Sequence, residues 1–311
     1  MISQADQAKN HKPVRMIAID IDGTLLPSKG TAISQRNRQA LLQAKAAGIE
    51  VVIATGRRHA YAMPLLSPLG LTPETVLITS NGTVTRTLEG THMDRHFLPL
   101  QVARELCGDL RQFGGTAVFT FDKLGKGELV IESLTRLNER IDPWIQANIA
   151  FIEEIDPIER AFDAGEPPVQ GMVCGTVPEM YRAKQWLATS RHAGAIELNQ
   201  TAYPVRDLSI LDILPPGCSK GVALGKLAAE RGIAREEVMA IGDNFNDVEM
   251  LKYAGQPVLM ANAVPELLSM GRSRGWQVAL SNDDDGVAAT IEAVLDRTFD
   301  RTLDRAMAEL R

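Results

Sequence analysis

Two carboxylates stand two residues apart in Asp20-Ile21-Asp22-Gly23-Thr24-Leu25-Leu26, directly after the mostly apolar run Val14 to Ile19. In an extended segment, side chains at i and i+2 point to the same side. A buried apolar strand has no structural use for two acids there, and like charges held together cost energy unless a cation joins them. Hard oxygen ligands at this spacing suit Mg²⁺. The turn through Gly23 and Thr24 can aim backbone N–H groups at a phosphate. One carboxylate could attack phosphorus while the other passes a proton. The plain alternative is a pair of solvated acids at the start of a loop.

Further polar groups recur where apolar runs end. Thr55-Gly56-Arg57 follows Ile49 to Ala54, and its hydroxyl and backbone N–H could hold a phosphate oxygen or simply form a turn. Arg57 and Arg58 could each meet a phosphate or substrate, or begin a solvated helix. Asn81, in Ser80-Asn81-Gly82 after Val76 to Thr79, could position a substrate or serve as a left-handed turn residue. Lys220 lies just inside a helix start, where a cation sits poorly on the helix dipole; an anion nearby would explain it. Gly242-Asp243-Asn244-Phe245-Asn246-Asp247 again ends an apolar run and offers oxygen ligands to a hard cation, Asp243 first among them. Asp247 could instead cap the helix after it. The histidines are scattered without metal spacing, and Asn282 to Gly286 lacks the downstream glutamate of a calcium loop.

The elements that must position these groups follow from periodicity. Short continuous apolar runs at 14–19, 49–54 and 76–79 read as strands buried on both faces, separated by helices over 34–47 and 58–69. Ser34 and Gly48 suit the ends of the first helix. This β-α-β-α-β pattern predicts an α/β fold with an open, mostly parallel sheet and ligands beyond the carboxyl ends of its strands. From about 84 to 198 the strands shorten (117–121, 129–131, 169–173) and turns multiply, which predicts an inserted α+β unit with helices over 99–112 and 178–190. The α/β texture returns over 199–295, with helices at 219–231, 247–254, 265–271 and 287–295 and strands at 238–241 and 257–260. Residues 1–13 read as a frayed tail and 296–311 as a charged helical extension.

The chain of 311 residues is 45% hydrophobic and 23% charged, which suits a globular protein of one large or two modest domains. A net charge of -6 with no basic run gives no reason to expect nucleic acid or an anionic membrane as partner. Cys107, Cys174 and Cys218 are far apart, so reduced, buried thiols are expected. The polar Met1 to Lys12 is no signal peptide, and no run approaches a membrane span, so a cytoplasmic location is expected.

In type and order these residues resemble the haloacid dehalogenase superfamily, and within it the Cof-like phosphatases of type IIB. Asp20 to Leu26 matches the first motif, Thr55 the second, Lys220 in Ser219-Lys220-Gly221 the third, and Gly242 to Asp247 the fourth, GDxxND. Asn81-Gly82 and Asn282 to Ala288 fit two lesser motifs, so the likeness runs from 15 to 295. The resemblance implies a Rossmann-like core (14–83 and 199–295) under a C2-type cap (84–198), and a phosphatase acting on a small phosphorylated metabolite. It implies that Asp20 becomes phosphorylated and that Asp22 protonates the leaving alcohol and then activates water. Thr55 and Lys220, with Gly56, Arg57, Asn81 and Asn246 around them, would hold phosphate or substrate. Mg²⁺ would be held by the Asp20 side chain, the Asp22 carbonyl and the Asp243 side chain, with Asp247 in support. The expected partner is a small phosphorylated molecule; a homodimer is left open. A phosphotransferase or phosphomutase on the same scaffold, and a non-catalytic metabolite binder, are the competing readings. A nucleotide-dependent dehydrogenase lacks its GxGxxG after the first strand.

Overall fold

The computed structural model describes residues 12–113, 117–136, 141–203 and 206–309, with side chains described to residue 297. The expected tail at 1–13 therefore lies almost wholly outside the described residues. Two sheets organise the chain. The first half of the larger sheet is β1 (Met16–Ile19), α1 (Gln35–Ala46), β2 (Glu50–Ala54), α2 (His59–Leu66), β3 (Val76–Thr79), β4 (Val84–Thr87) and β5 (His92–Arg95). The smaller sheet follows with α3 (Leu100–Leu110), β6 (Val118–Thr120), β7 (Leu129–Ile131), α4 (Asp142–Asn148), β8 (Ile152–Glu154), β9 (Gln170–Gly175), α5 (Val177–Thr189), β10 (Glu197–Tyr203) and β11 (Leu208–Leu214). The chain then completes the larger sheet with α6 (Lys220–Glu230), β12 (Val238–Gly242), α7 (Val248–Tyr253), β13 (Gln256–Leu259), α8 (Pro265–Ser273), β14 (Gln277–Val278) and α9 (Gly286–Glu309).

The larger sheet runs β14-β13-β12-β1-β2-β3-β4-β5 and is parallel from β14 to β3. Alternate residues of its inner strands feed two cores. Ile17, Ile19, Val51, Ile53 and Ile241 pack against α1, α2 and α9, while Met16, Ala18, Val52, Ala54 and Ala240 pack against α6, α7 and α8. Burial on both faces is why these strands read as unbroken apolar runs. Ser34 caps α1 by accepting from the Asn37 N–H at 3.1 Å. Because β1 has β2 on one side and β12 on the other, the strand order reverses there, and a crevice opens beyond the carboxyl ends of β1 and β12.

The smaller sheet, β10-β11-β9-β6-β7-β8, is antiparallel except for the β7–β8 pair. One face is covered by α3 and α5. Expected boundaries at 84 and 198 do not match the strand membership. β4 and β5 belong to the larger sheet, since β4 folds back antiparallel on β3 with Thr79 opposite Val84. β10 and β11 belong to the smaller sheet, which therefore extends to Leu214. HMDR carries no buried-strand pattern because β5 is the sheet's edge, while VTRT is polar in sequence although β4 is buried between β3 and β5. The helix at 287–295 and the extension after it are one continuous helix, α9. Cys107, Cys174 and Cys218 are buried and form no disulfide among the described residues. Among the described residues, no helix is long and apolar enough to cross a membrane.

The turn after β3 needs a glycine. Gly82 has φ +97°, and a Cβ there would stand 2.3 Å from the Ser219 carbonyl oxygen. That approach seats the turn against the start of α6, which carries Lys220. Replacing Gly82 with Ala is expected to cost about 1–3 kcal/mol through backbone strain, before any clash. Thermal unfolding of the variant checks this; an unchanged midpoint would contradict it.

Candidate active site

Asp20, Thr55, Asn81 and Asp243 each follow the carboxyl end of a parallel strand, so the sheet alone brings them to one edge. Asp20 is nearly buried, and its backbone N–H donates to the Ile241 carbonyl at 3.0 Å, which ties β1 to β12. Lys220, the first residue of α6, is fully buried. Its ammonium donates to Asp20 Oδ1 at 2.6 Å and Asp247 Oδ1 at 2.7 Å. The anions that a lysine at a helix start calls for are thus protein carboxylates. Burial alone would lower the Lys220 pKa, but the two carboxylates overcome it and raise it.

Asp243 lies beside them, accepting from the Thr24 hydroxyl at 2.9 Å. Gly23 makes this approach feasible: it has φ +83°, and a Cβ there would sit 2.3 Å from Asp243 Oδ2. Asp247 does not cap the helix after it. Its Oδ2 reaches back to the N–H groups of Asp243 (2.9 Å) and Asn244 (3.0 Å) and so holds its own loop.

One carboxylate oxygen from each of Asp20, Asp243 and Asp247 lies within 4.8 Å of the others. This is a donor set of hard oxygens suited to a divalent cation. With all three ionised, Lys220 would supply one positive charge against three negative ones, an excess that bound protons or a cation must offset. Burial, then Asp247 and Asp22, raises the Asp20 pKa to about 7 against the opposing pull of Lys220. Burial, then Asp20 and Asp247, likewise raises Asp243 well above the ordinary carboxylate range.

The Asp22 carboxylate is not part of this cluster. Arg57 holds it in a fork, Nε to Oδ2 at 2.8 Å and Nη2 to Oδ1 at 2.6 Å, and the guanidinium stacks 4.3 Å over Tyr61. The metal contact expected of Asp22 is its main-chain carbonyl, which this side-chain fork does not engage. Thr55 is buried, and its hydroxyl accepts from the Arg57 N–H at 3.1 Å. Asn81 is the left-handed turn residue that the sequence allowed. It is left-handed at φ 57°, and its side chain accepts from Asn246 Nδ2 at 3.1 Å. Gly56 lies against it, with a would-be Cβ 3.1 Å from Asn81 Oδ1.

The smaller sheet brings groups that the sequence did not single out. Tyr203 stands close enough to the acids that burial, then Asp22, Asp243, Asp20 and Asp212, raises its phenol pKa. Arg58 leaves the β2 loop for the smaller sheet's side, where it pairs with Glu128 at 2.6 Å, donates to Asn148, and lies 4.2 Å over Phe151. Asp122 meets Arg86 and, at 2.8 Å, His92. Tyr203 ends the edge strand β10 and Asp122 lies in the loop after β6, so neither stands out by periodicity in the sequence. The acidic turn after Ser281 clasps the loop beyond Asp22 from below: Asn282 Nδ2 donates to the Leu26 carbonyl at 2.9 Å, and Asp283 accepts from the Ser28 N–H at 2.8 Å.

Because the raised carboxylates bind protons that a cation would displace, divalent metal binding is expected to release protons and to tighten as pH rises through about 7, where Asp20 ionises. Calorimetric titration with Mg²⁺ in two buffers of different ionisation enthalpy checks this. Identical heats in both buffers near neutral pH would contradict it.

Comparison with known proteins agrees with this geometry. The profile of the family described as haloacid dehalogenase-like hydrolase matches residues 17–291. The 5-amino-6-(5-phospho-D-ribitylamino)uracil phosphatase YwtE of Bacillus subtilis is 34% identical over 302 residues, covering 91% of this chain and 98% of that protein. Phosphatase YwpJ of the same organism is 31% identical over 301 residues, covering 91% of this chain and all of its own length. The solved structure of a haloacid dehalogenase-like hydrolase from B. subtilis superposes with a TM-score of 0.74 at 28% identity, covering 90% of this chain and 99% of that one. The chain belongs to the haloacid dehalogenase-like hydrolases, and is a phosphatase of their Cof-like branch.

Proposed function

We propose that the protein hydrolyses a phosphate monoester of a small metabolite, a sugar phosphate or a phosphorylated cofactor, with Mg²⁺ and through an aspartyl-phosphate on Asp20. The observation that carries the reading is the buried set of three carboxylates around one lysine. Such a cluster is costly to desolvate, and it places a carboxylate nucleophile beside a cation and a candidate metal site, which a phosphatase needs. Hydrolases of this family generally use a divalent metal, and Asp20 and Asp243, with Asp247 close by, are the side chains that would hold it. Bound there, Mg²⁺ would supply positive charge to the phosphoryl oxygens.

Lys220 engages Asp20 Oδ1, so the other oxygen of that carboxylate is the one free to attack. Attack forms the bond from Asp20 to phosphorus as the bond from phosphorus to the leaving alcohol breaks, and Asp22 gives that oxygen its proton. Asp22 then takes a proton from water as water attacks phosphorus, and the bond to Asp20 breaks to release inorganic phosphate. Thr55, the Gly56 N–H, Asn246 and Lys220 hold the non-bridging oxygens, with Asn81 supporting them. A carboxylate forked by a guanidinium cannot also deliver a proton. The Arg57–Asp22 fork is therefore the resting arrangement, and an incoming phosphate competes for Arg57. The metabolites named for the relatives, such as a phosphoribityl compound, fit this chemistry.

Phosphate release is the test, measured with and without Mg²⁺ over sugar phosphates, nucleotides, FMN and pyridoxal phosphate. Release is expected to need Mg²⁺ and to be lost in Asp20→Asn with the fold intact. Full activity after exhaustive EDTA treatment, or near-normal turnover by Asp20→Asn, would sink the mechanism. A mutase would instead form isomeric phosphate without releasing inorganic phosphate.

A further inference from the structure

A buried carboxylate on the smaller sheet has no part in the chemistry above. Asp212 lies on β11 between Leu211 and Ile213, which face the helices of that sheet, so its own side chain faces the other way. It is 6% exposed, and no ion pair to it is found among the described residues. Burial pushes its pKa up to about 7. Such a group destabilises unless it is used. Its two oxygens accept from two amides: Asn81 Nδ2 at 2.9 Å and Gln170 Nε2 at 2.6 Å.

We propose that Asp212 is a positioning residue, whose carboxylate fixes the Asn81 side-chain amide and, through it, Asn246. The inference rests on the phosphatase reading above. Asn81 presents its NH₂ to Asp212 and its oxygen to Asn246; the ionised form of Asp212, which both amide donors favour, can only accept and so holds that orientation. The Asn81 oxygen accepts from Asn246 Nδ2 at 3.1 Å, which turns the Asn246 oxygen away from Asn81. Asn81 also donates its backbone N–H to the Thr55 carbonyl at 3.1 Å. It is thus the hub of the loops after β2, β3 and β12, and a single acceptor on β11 decides which way the hub faces. Without that acceptor the Asn81 amide can turn over, and its NH₂ then opposes the Asn246 NH₂ unless Asn246 turns over with it and loses its own orientation.

The Gln170 oxygen, although buried, has no hydrogen-bond partner among the described residues. Opposite an amide in place of Asp212, Gln170 can therefore turn over without giving up a bond at its oxygen. This separates two substitutions. Asp212→Asn keeps one oxygen for Asn81 and offers its NH₂ to a turned Gln170, so the Asn81 orientation survives. Asp212→Leu has a similar size and no acceptor.

The experiment is steady-state kinetics of the full chain on p-nitrophenyl phosphate at saturating Mg²⁺, with Asp20→Asn as control. Asp212→Leu is expected to lower kcat about 10- to 100-fold, the usual effect of losing a supporting contact, with KM little changed. Asp212→Asn is expected to recover at least about half of the parental kcat. Adding Asn246→Ala to Asp212→Leu is expected to cause no loss beyond the worse single variant, because both act on one group. Should Asp212→Leu not fold, Asp212→Thr, whose hydroxyl stops one bond short of Asn81, carries the same expectation. Parental kcat in the leucine or threonine variant, an equal loss in Asp212→Asn, or multiplying losses with Asn246→Ala would each overturn the proposal. Turnover surviving in Asp20→Asn would instead overturn the phosphatase mechanism itself.

Discussion

The ammonium of Lys220, sealed between Asp20 and Asp247, is the interaction on which the rest of the structure depends. It joins three stretches of chain far apart in sequence: the end of β1, the start of α6 and the loop after β12. A buried ion pair is weak evidence of added stability, since desolvation consumes most of its attraction. Its value is discrimination. With either acid displaced, a charge is left without partner or water, so only one seating of α6 against β1 and β12 is tolerated. Gly82 and Gly23 are consequences of that seating. One lets the β3 turn press on the start of α6, and the other lets Asp243 close over the β1 loop.

A site so enclosed needs a lid of matching polarity. The smaller sheet supplies one in contacts that cross to the larger: Arg58 to Glu128, Arg86 to Asp122, Asn81 to Asp212, and Asn244 to the Ala202 carbonyl. These are charged or amide contacts rather than an apolar interface. These contacts are themselves buried, so parting the two sheets would expose two ion pairs and an amide–carboxylate contact to water. Excluding water when closed strengthens the attraction between Lys220, any bound cation and a phosphoryl group. Arg57 and Arg58 show how closely lid and chemistry are joined. Neighbouring side chains hold Asp22 on one side and the smaller sheet on the other.

Much of this was legible in the sequence, for a physical reason. Strands buried on both faces must be continuously apolar, and polar residues at their ends then stand out, as Asp20, Thr55, Asn81 and Asp243 do. Lys220 was legible as an anomaly at a helix start. The smaller sheet was harder to read. Glu197–Tyr203 is an edge strand with little alternation, whereas β11 is buried, largely apolar and central, and was not expected at all. Asp212 looks like a single misplaced acid in LSILDIL, because its two amide partners are 42 and 131 residues away in the chain. The Arg57 fork on Asp22 was hidden for the same reason, since pairing between strand ends depends on strand order rather than on spacing.

The central claim is that Asp20 itself carries the phosphoryl group during turnover. The direct measurement is mass spectrometry of the protein after acid quenching in the first turnover with a good phosphate ester and Mg²⁺. The account predicts a phosphoryl adduct on the peptide containing Asp20, formed and lost at rates consistent with kcat. Turnover at full rate with no adduct on that peptide, or with the adduct on another residue, would contradict it.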